Sequence, residues 1–293
     1  MPARVEVDGR VFVVRGDAPG HLPGSLGRQA EFSVVQRAVQ AGVPTPAVRW
    51  LAQGLLRDGA WAYAMDWADG IGIGRKVVAS PELAGARERL PGQLAEALVR
   101  VHTITPPDDE RPADPVGEAL ERLGTQLQQM QERHPVLERV LAWLDGRRPE
   151  VKGGPVQGHG DFRTGNFLVA ADGLRAVLDW EFAHWGAREE DIGWLCVRDW
   201  RFGALDKPAG GLARRREFVQ AYEAAGGAPV DPVVLHWWEV YGNARWAAGC
   251  VFQGERFTRG GERDIELLAI GKRPAEMEWE ALRLIRRGAE EWS

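Results

Sequence analysis

The segment from His159 to Asn166, together with Asp179, constrains the fold of this chain more than any other feature of its sequence. The segment reads His-Gly-Asp-Phe-Arg-Thr-Gly-Asn, and two short apolar runs, at 167–169 and 176–178, separate it from Asp179. An Ala-Asp-Gly turn joins the two runs, so they predict a β-hairpin. A hairpin returns the chain to the edge from which it started, so Asp161, Asn166 and Asp179 are expected to converge.

The residue types at these positions indicate a chemistry. Convergent Asp and Asn oxygens suit a hard cation such as Mg²⁺, and a bound Mg²⁺ holds nucleotide phosphates. We therefore expect Asn166 and Asp179 to bind the metal, which leaves the carboxylate of Asp161 to face the hydroxyl group of an acceptor. An aspartate on a loop is ordinarily a solvated turn residue, and it is the three residues at this spacing that favour a site.

The rest of the chain divides into a β-rich beginning and a helical remainder. The order predicted for the first 65 or so residues is strand, strand, helix, strand, strand. These elements fall at 5–7, 11–14, 31–39, 47–51 and 61–65. Beyond them, apolar residues recur at helical spacing, and helices are predicted over 235–241 and 265–285. We expect an α+β protein with a small β-rich lobe, residues 1–68, and a larger, mainly helical lobe, residues 69–293.

Composition argues against several classes of protein. The 293 residues include 37 Lys and Arg against 42 Asp and Glu, a formal charge of −5, which argues against a chain that mainly binds nucleic acid. The sequence has no run of 18 apolar residues and no signal pattern, so we expect no membrane span and a cytoplasmic location. Cys196 and Cys250 lie in apolar, Trp-containing segments without metal-binding spacing, so they are predicted to be buried free thiols.

With these motifs in view, the chain resembles the aminoglycoside phosphotransferase-like, or choline kinase-like, branch of the protein-kinase-like fold. The catalytic loop of that family reads His-Gly-Asp-x-x-x-x-Asn, as at 159–166 here. The chain looks most similar to the bacterial phosphotransferases found beside acyl-CoA dehydrogenases, and the resemblance covers nearly its whole length. Weaker supporting motifs lie at 44–46, 63–67, 191–194 and 270–279.

The resemblance implies a role for each residue of the loop and its surroundings. Asp161 resembles the catalytic aspartate, which orients the acceptor hydroxyl and accepts its proton, and Asn166 and Asp179 resemble the magnesium ligands. Asp191 resembles the buried aspartate that braces the catalytic loop through backbone amides. His159 is expected to hold the same loop through hydrogen bonds.

In the small lobe the resemblance implies a nucleotide site. Arg15 stands where such enzymes place the cation that contacts the α- and β-phosphates, and Glu31 stands where the ion-pair partner of that cation lies. At the hinge, the backbone carbonyl of Asp66 and the amide of Ala68 would pair with adenine, with Met65 beside the ring. The glycine-rich run at 70–74 follows this hinge and is predicted to be a linker rather than a phosphate cradle.

The implied function is transfer of the γ-phosphoryl group of ATP, with GTP as an open alternative, to a hydroxyl group of a small molecule, with Mg²⁺ as cofactor. The family's first strand and phosphate-covering turn should precede Val5, and only four residues do. The small lobe is therefore expected to be truncated: either the coding start lies upstream, or the lid over the nucleotide is incomplete. With an incomplete lid, the alternative is a nucleotide-binding, kinase-like protein that does not catalyse transfer.

The sequence leaves the identity of the acceptor open. Carboxylates between residues 181 and 199 would suit the ammonium groups of an aminoglycoside, but arginines are interleaved with them. Trp185 and Trp200 follow the metal-binding segment, and they either line an acceptor pocket or belong to the core. The oligomeric state is likewise open.

Overall fold

An antiparallel sheet of four strands forms the N-terminal part of the structure, a computed structural model that describes residues 3–17 and 22–289. The strands are β1 (Ala3–Val7), β2 (Arg10–Gly16), β3 (Val48–Gln53) and β4 (Trp61–Asp66). They lie in the order β1-β2-β4-β3 across the sheet. Asp8 and Gly9 join the first two strands with φ angles of 50° and 73°, and a type I′ turn requires such positive values. The hairpin predicted at the start of the chain is therefore present.

Helix α1 (Arg28–Gln40) packs against β3 and β4. Its residues Val35 and Ala38 are fully buried. The helix begins three residues before the predicted start at Glu31, because the carboxylate of Asp17 accepts a hydrogen bond from the backbone N–H of Arg28 at 3.1 Å. A partner eleven residues away along the chain is not visible in a local helical pattern.

Helices form most of the remaining structure. They are α2 (Gly74–Ala79), α3 (Ala84–His102), α4 (Pro115–Gln129), α5 (Pro135–Asp145), α6 (Arg188–Leu195), α7 (Arg215–Ala224), α8 (Pro232–Thr258), α9 (Ile265–Ile270) and α10 (Pro274–Arg287). The apolar stripe predicted in the first of the long helices is confirmed as core, since Leu90, Leu94 and Leu98 are at most 1% exposed. Helix α8 has 27 residues and packs against α5, α6, α9 and α10.

Two short ladders lie between α5 and α6 in the chain. Strand β5 (Val156–Gly158) pairs with β8 (His184–Gly186), and β6 (Phe167–Ala170) pairs with β7 (Gly173–Val177). The second ladder is the predicted hairpin, with its later strand starting three residues earlier than expected. Ile71 and Val169 exchange two backbone hydrogen bonds, at 2.8 and 3.1 Å, so the glycine-rich linker after the sheet is joined to this hairpin.

The helical structure predicted over 265–285 is present, but it consists of two helices. The chain forms α9 and α10 there, and residues 271–273 separate them. Gly271 lies so close to Gly254 of α8 that an added Cβ would come within 2.5 Å of the Gly254 Cα. Pro274 then starts α10 in its first turn, where a helix does not use the backbone N–H. The break between the two helices results from the close packing of Gly271 against α8 and from Pro274. Helical periodicity in the sequence does not reveal it.

Smaller features of the structure bear on three further expectations. The two cysteines, Cys196 and Cys250, are buried free thiols, as predicted. The glycine-rich loop between 16 and 27 lies partly outside the described residues, and in its described part the N–H of Leu26 donates to the carbonyl of Glu181 at 2.6 Å. Among the described residues, no helix is both long enough and apolar enough to cross a lipid bilayer.

Candidate active site

The loop between β5 and β6 carries Asp161, and three donors surround its carboxylate. The side-chain amide of Asn166 donates to Oδ2 at 2.6 Å, the indole N–H of Trp194 donates to Oδ1 at 2.7 Å, and Nε of Arg163 donates to Oδ1 at 3.0 Å. A carboxylate can accept on both oxygens at once, and bonds to charged groups are the stronger ones. Asp161 is therefore held as an oriented hydrogen-bond acceptor.

A buried aspartate braces the backbone of this loop. The two carboxylate oxygens of Asp191 accept from the backbone N–H groups of His159 and Gly160, at 2.7 and 2.9 Å, and Oδ2 lies 3.3 Å from Nε2 of His102. Burial opposes the charge on Asp191, but His102 and the loop amides outweigh it and hold the pKa of Asp191 below its usual range. Asp191 lies where the sequence predicts the bracing residue.

His159 links the loop to the end of the hairpin. Its Nδ1 accepts from the backbone N–H of Asp161 at 3.2 Å, so Nε2 carries the proton and donates to the carbonyl of Leu178 at 3.1 Å. Burial lowers the pKa of His159, which favours this neutral ring. The next residue, Gly160, has φ +74°, and a Cβ there would lie 2.0 Å from a backbone carbonyl oxygen. The loop geometry therefore requires the glycine of the His-Gly-Asp motif.

Asn166 directly precedes β6 and Asp179 follows β7 by two residues, so both lie at the open end of the hairpin. The N–H of Leu178 donates to the carbonyl of Asn166 at 2.8 Å, which closes the hairpin next to Asp179. Asp179 has φ +69° and ψ +65°, a left-handed conformation that is uncommon outside glycine and that concentrates at functional sites. The structure therefore brings Asp161, Asn166 and Asp179 together at one end of the hairpin.

Arg15, near the end of β2, connects the sheet to the hairpin. Its NH2 atom lies 2.7 Å from Oδ1 of Asp179, 3.4 Å from Oε1 of Glu31 and 3.8 Å from Oε2 of Glu181. Burial opposes the charge on Arg15, but Glu31 and Asp179 outweigh it and raise the pKa of Arg15 above its ordinary value. Burial likewise opposes the charge on Asp179, but Arg15 outweighs it and lowers the pKa of Asp179. Glu31 is the ion-pair partner that the sequence predicts for Arg15, and the two residues are in contact. The shorter contact of Arg15 with Asp179 was not predicted.

Two further members of this group, Arg28 and Glu181, were not predicted from the sequence. Arg28 forms a hydrogen-bonded ion pair with Glu31 and donates to Glu181 at 3.0 Å. Arg28 could have been found, because it precedes Glu31 by three residues on a helix and so shares its face. We refer to these two residues with Arg15, Glu31 and Asp179 as the Arg15 cluster. It contains two arginines and three carboxylates, and so one negative charge in excess.

The three predicted hinge residues lie at the end of β4. Met65 and Asp66 are the last residues of the strand, and Ala68 follows it. Val13 of β2 is the register partner of Met65, and Arg15 stands two residues further along the same strand. Register partners project on the same face of a sheet, and so do residues two apart, so Met65 and Arg15 share one face. A flat ring beside Met65 and an anionic group at Arg15 would therefore fit along a single surface.

Arginine side chains pack over the rings of two tryptophans near Asp161. The guanidinium carbon of Arg163 lies 4.4 Å from the ring centroid of Trp200, and that of Arg245 lies 4.2 Å from Trp194, within the range of cation–π attraction. Trp200 is 4% exposed, so of its two open alternatives the structure supports the core. Trp185 is half-buried, and its indole N–H donates to Glu110 at 2.9 Å.

Metal-binding groups in this part of the molecule are few. Within residues 3–17 and 22–289, no group of three or more His, Cys, Asp or Glu side chains is placed to hold a metal ion. The sequence-predicted ligands are one carboxylate, Asp179, and one side-chain amide, Asn166. The amide nitrogen of Asn166 is used by Asp161, so its oxygen is the atom that could face a cation.

A small antiparallel sheet followed by a mainly helical part that carries this loop is the arrangement of kinase-like phosphotransferases. Residues 3–228 match the family model described as the phosphotransferase enzyme family, and the chain belongs to that family. The family resemblance and the two-lobed α+β fold predicted from the sequence are both confirmed. Among curated proteins, mouse acyl-CoA dehydrogenase family member 10 is 26% identical over 203 residues, which are 64% of this chain and 18% of that protein. The chain therefore spans less than a fifth of that relative.

Solved structures show the same fold at lower sequence identity. A protein from Ralstonia eutropha JMP134, assigned as an aminoglycoside phosphotransferase, superposes with a TM-score of 0.74 at 21% identity, covering 96% of this chain and 88% of that one. A spectinomycin phosphotransferase in complex with ADP and spectinomycin gives 0.64 at 12% identity, with coverage of 96% and 88%. A thermostable aminoglycoside phosphotransferase in a ternary complex with AMP-PNP and hygromycin B gives 0.66 at 15% identity, with coverage of 98% and 94%.

Proposed function

We propose that this protein transfers the γ-phosphoryl group of ATP to a hydroxyl group of a small molecule. The observation that carries the proposal is a continuous path of contacts: Arg15 bonds Asp179, the closed hairpin joins Asp179 to Asn166, and Asn166 bonds Asp161. A cation suited to phosphate, two oxygens suited to a metal and a carboxylate suited to proton transfer lie in order along that path. Proteins of the same fold that carry ADP or AMP-PNP support the choice of nucleotide.

Asp161 is the base in the proposed reaction. The acceptor oxygen forms a bond to the γ-phosphorus while the bond from that phosphorus to the bridging oxygen of ADP breaks. Asp161 orients the hydroxyl group and takes its proton, because Trp194 and Asn166 already fix the direction of both carboxylate oxygens. Asp191 and His159 act by position, since Asp191 holds the two backbone N–H groups that precede Asp161 and His159 holds the N–H of Asp161 itself.

Arg15 contacts the α- and β-phosphates of the nucleotide in this proposal. Glu31 keeps the guanidinium group in place, and Arg28 holds Glu31 from its other side. Asp179 and the side-chain oxygen of Asn166 are the proposed ligands of Mg²⁺, which when bound neutralises charge between the phosphates. One or two protein ligands completed by water and phosphate are typical of Mg²⁺ sites, and the excess negative charge of the Arg15 cluster favours a cation there. The donor set therefore fits magnesium that arrives with the nucleotide.

The base of the nucleotide lies beside Met65 in this proposal, with the backbone carbonyl of Asp66 and the amide of Ala68 at its edge. Adenine and guanine both present a donor and an acceptor, so GTP is a second candidate for the same surface. The proposed lobe boundary follows from this placement. Residues 1–68 contain the sheet and the hinge, and residues 69–293 contain the loop with Asp161.

Phosphorus NMR of reaction mixtures tests the proposal. The protein is incubated with Mg-ATP and, in turn, hydroxylated metabolites, lipids and antibiotics, and we expect ADP and a phosphate monoester to appear in equal amounts with at least one acceptor. The Asp161→Asn protein serves as the blank. Asp172→Asn is the matched control, because Asp172 lies in the exposed turn of the same hairpin, and it should retain the full rate. Tight binding of Mg-ATP with no monoester from any acceptor would favour the alternative, a nucleotide-binding protein without transfer activity.

A further inference from the structure

A cavity of about 180 Å³ lies within the helical part of the molecule, away from the residues of the candidate active site. Its walls come from the turn at 198–201, the segment at 205–208 and helices α7, α8 and α10. The volume is far above the roughly 10–15 Å³ that one water molecule needs, and it is below the roughly 300 Å³ at which pockets for organic ligands begin. An occupant of this cavity is therefore small.

Arginines outnumber carboxylates in the wall of this cavity, and one of them, Arg201, is buried. Arg215 donates to Glu239 through two bonds, at 2.6 and 2.5 Å, and Arg283 donates to Glu280 through two bonds, at 2.9 and 2.6 Å. Arg201 lies between the two pairs, 3.1 Å from Glu239 and 3.0 Å from Glu280. We refer to these five residues as the Arg201 cluster. A fourth arginine, Arg198, lies 3.7 Å from Glu280, but Glu276 lies 3.9 Å from Arg198 and balances its charge. The three guanidinium groups of the cluster therefore share two carboxylates, and one positive charge is in excess.

Within residues 3–17 and 22–289, which the structure describes, the other charged residues that line the cavity do not remove this excess. They are Arg287 and Asp206, and their charges cancel. Burial of an unmatched charge is unfavourable, so the cluster as it stands lacks an anion.

Two buried nitrogen atoms of the cavity wall point to the same conclusion. Nε of Arg201 and Nε2 of His236 have no hydrogen-bond partner among the residues that the structure describes. Arg201 is 2% exposed and His236 is 7% exposed, so bulk solvent does not satisfy them. Nε of an arginine is always a donor, and burial lowers the pKa of His236, so its neutral ring can offer one N–H. The cavity presents donors that need an acceptor.

We propose that this cavity binds a small oxyanion with the size and charge of inorganic phosphate. Such an anion supplies the missing negative charge, which water does not. Its oxygens accept from Arg201 and His236, and guanidinium groups match the geometry of phosphate oxygens. The cavity is too small for a nucleotide, so the predicted ligand is the free ion, and a phosphate monoester should bind more weakly. Anion binding in this cavity does not depend on the proposed phosphotransferase activity.

Calorimetry and thermal unfolding with sodium phosphate test the inference, at constant ionic strength adjusted with chloride. We expect saturable binding to the unmutated protein and, at about 100 times the dissociation constant, a rise in Tm of about 5 °C. Arg283→Met should weaken phosphate binding at least about tenfold, since it removes the excess charge. Arg286→Met is the matched control, because Arg286 is exposed on the same helix and does not line the cavity, and it should bind as the unmutated protein does. Glycerol phosphate in place of phosphate should give a smaller rise in Tm.

Further variants distinguish phosphate bound in this cavity from phosphate bound in the candidate active site and from a general effect of salt. Arg15→Met should retain the phosphate effect, so its loss in that variant would place the ion in the candidate active site and overturn the inference. His236→Phe removes one ring donor and keeps the ion pairs, and it should also weaken phosphate binding. This variant provides the test if Arg283→Met does not fold. A rise in Tm that never saturates, or that is equal in all variants, would show general salt stabilisation and contradict a site.

Discussion

Two clusters of arginines and carboxylates in this structure differ in the sign of the charge left over. The Arg15 cluster has one carboxylate more than it has arginines, and its Asp179 side chain is 36% exposed. The Arg201 cluster has one arginine more than it has carboxylates, and its central Arg201 is 2% exposed. The comparison teaches that clusters built from the same ion pairs can favour a cation at one site and an anion at another. The sign of the excess charge and the exposure of the side chains determine which ion is favoured.

Glu239→Ala is expected to give the largest effect on stability. It leaves the guanidinium groups of Arg201 and Arg215 buried without their shared partner, and breaking a buried pair costs about 3–5 kcal/mol of unfolding free energy. Urea denaturation measures the change. Glu88→Ala, at an exposed position of α3, is the control and should stay within about 0.5 kcal/mol. An equally small loss for both variants would mean that the Arg201 cluster is solvated, and the comparison would fail.

Asp191 extends the comparison to a buried carboxylate outside the two clusters. Its partners are backbone amides and a histidine, not arginines. Asp191→Asn should lower the unfolding free energy by about 1.5–3 kcal/mol at pH 7, the value of a hydrogen bond to a charged group. The pKa of Asp191 is lower in the folded protein than in the unfolded chain, so its stabilisation is present above the unfolded value of about 4 and is lost as the pH falls through the folded value. The difference in unfolding free energy between the unmutated protein and Asp191→Asn should therefore become smaller in acid. Urea unfolding from pH 7 to pH 3 checks this, and a gap independent of pH would contradict it.

Arg15→Met tests the cation of the more exposed cluster. ATP affinity should fall about 10- to 100-fold, because a charge-assisted bond to phosphate contributes about 1.5–3 kcal/mol, whereas adenosine affinity should not change. Calorimetry with both ligands on both proteins makes the measurement. Equal losses for ATP and adenosine would count against the whole sheet register, including the hinge at Asp66 and Ala68.

Glu31→Gln should give the smallest effect. It removes the brace of Arg15 and leaves the cation itself, so ATP affinity should fall by less than about tenfold. The same titration in the double variant with Arg15→Met should show no additional loss, since the brace acts through the arginine. Independent, additive losses would show that Glu31 acts elsewhere.

Part of this site could be predicted from sequence because its chemistry is local. The loop from His159 to Asn166 and the hairpin before Asp179 are continuous in the chain, so spacing and strand pattern were enough to place them together. The break after α9 depends on Gly271 packing against Gly254 of another helix, and no local pattern reports it.

The two clusters show the same limit. Arg15 meets Asp179 across 164 residues, and Arg201 meets Glu239 across 38. A charged residue in a sequence looks the same whether its partner is water or a distant carboxylate. Only the fold assigns these partners, and with them the sign of the charge in excess.

The dependence of ATP binding on Mg²⁺ tests the central claim most directly, and it needs no knowledge of the acceptor. Calorimetry would compare ATP binding in Mg²⁺ and in EDTA, for the unmutated protein and for Asp179→Ala. We predict that removal of Mg²⁺ weakens binding at least about tenfold in the unmutated protein, and that Asp179→Ala binds ATP equally in both conditions because a required carboxylate ligand is missing. Equal affinity with and without Mg²⁺ in the unmutated protein would contradict the assignment of Asn166 and Asp179, and with it the proposed nucleotide site.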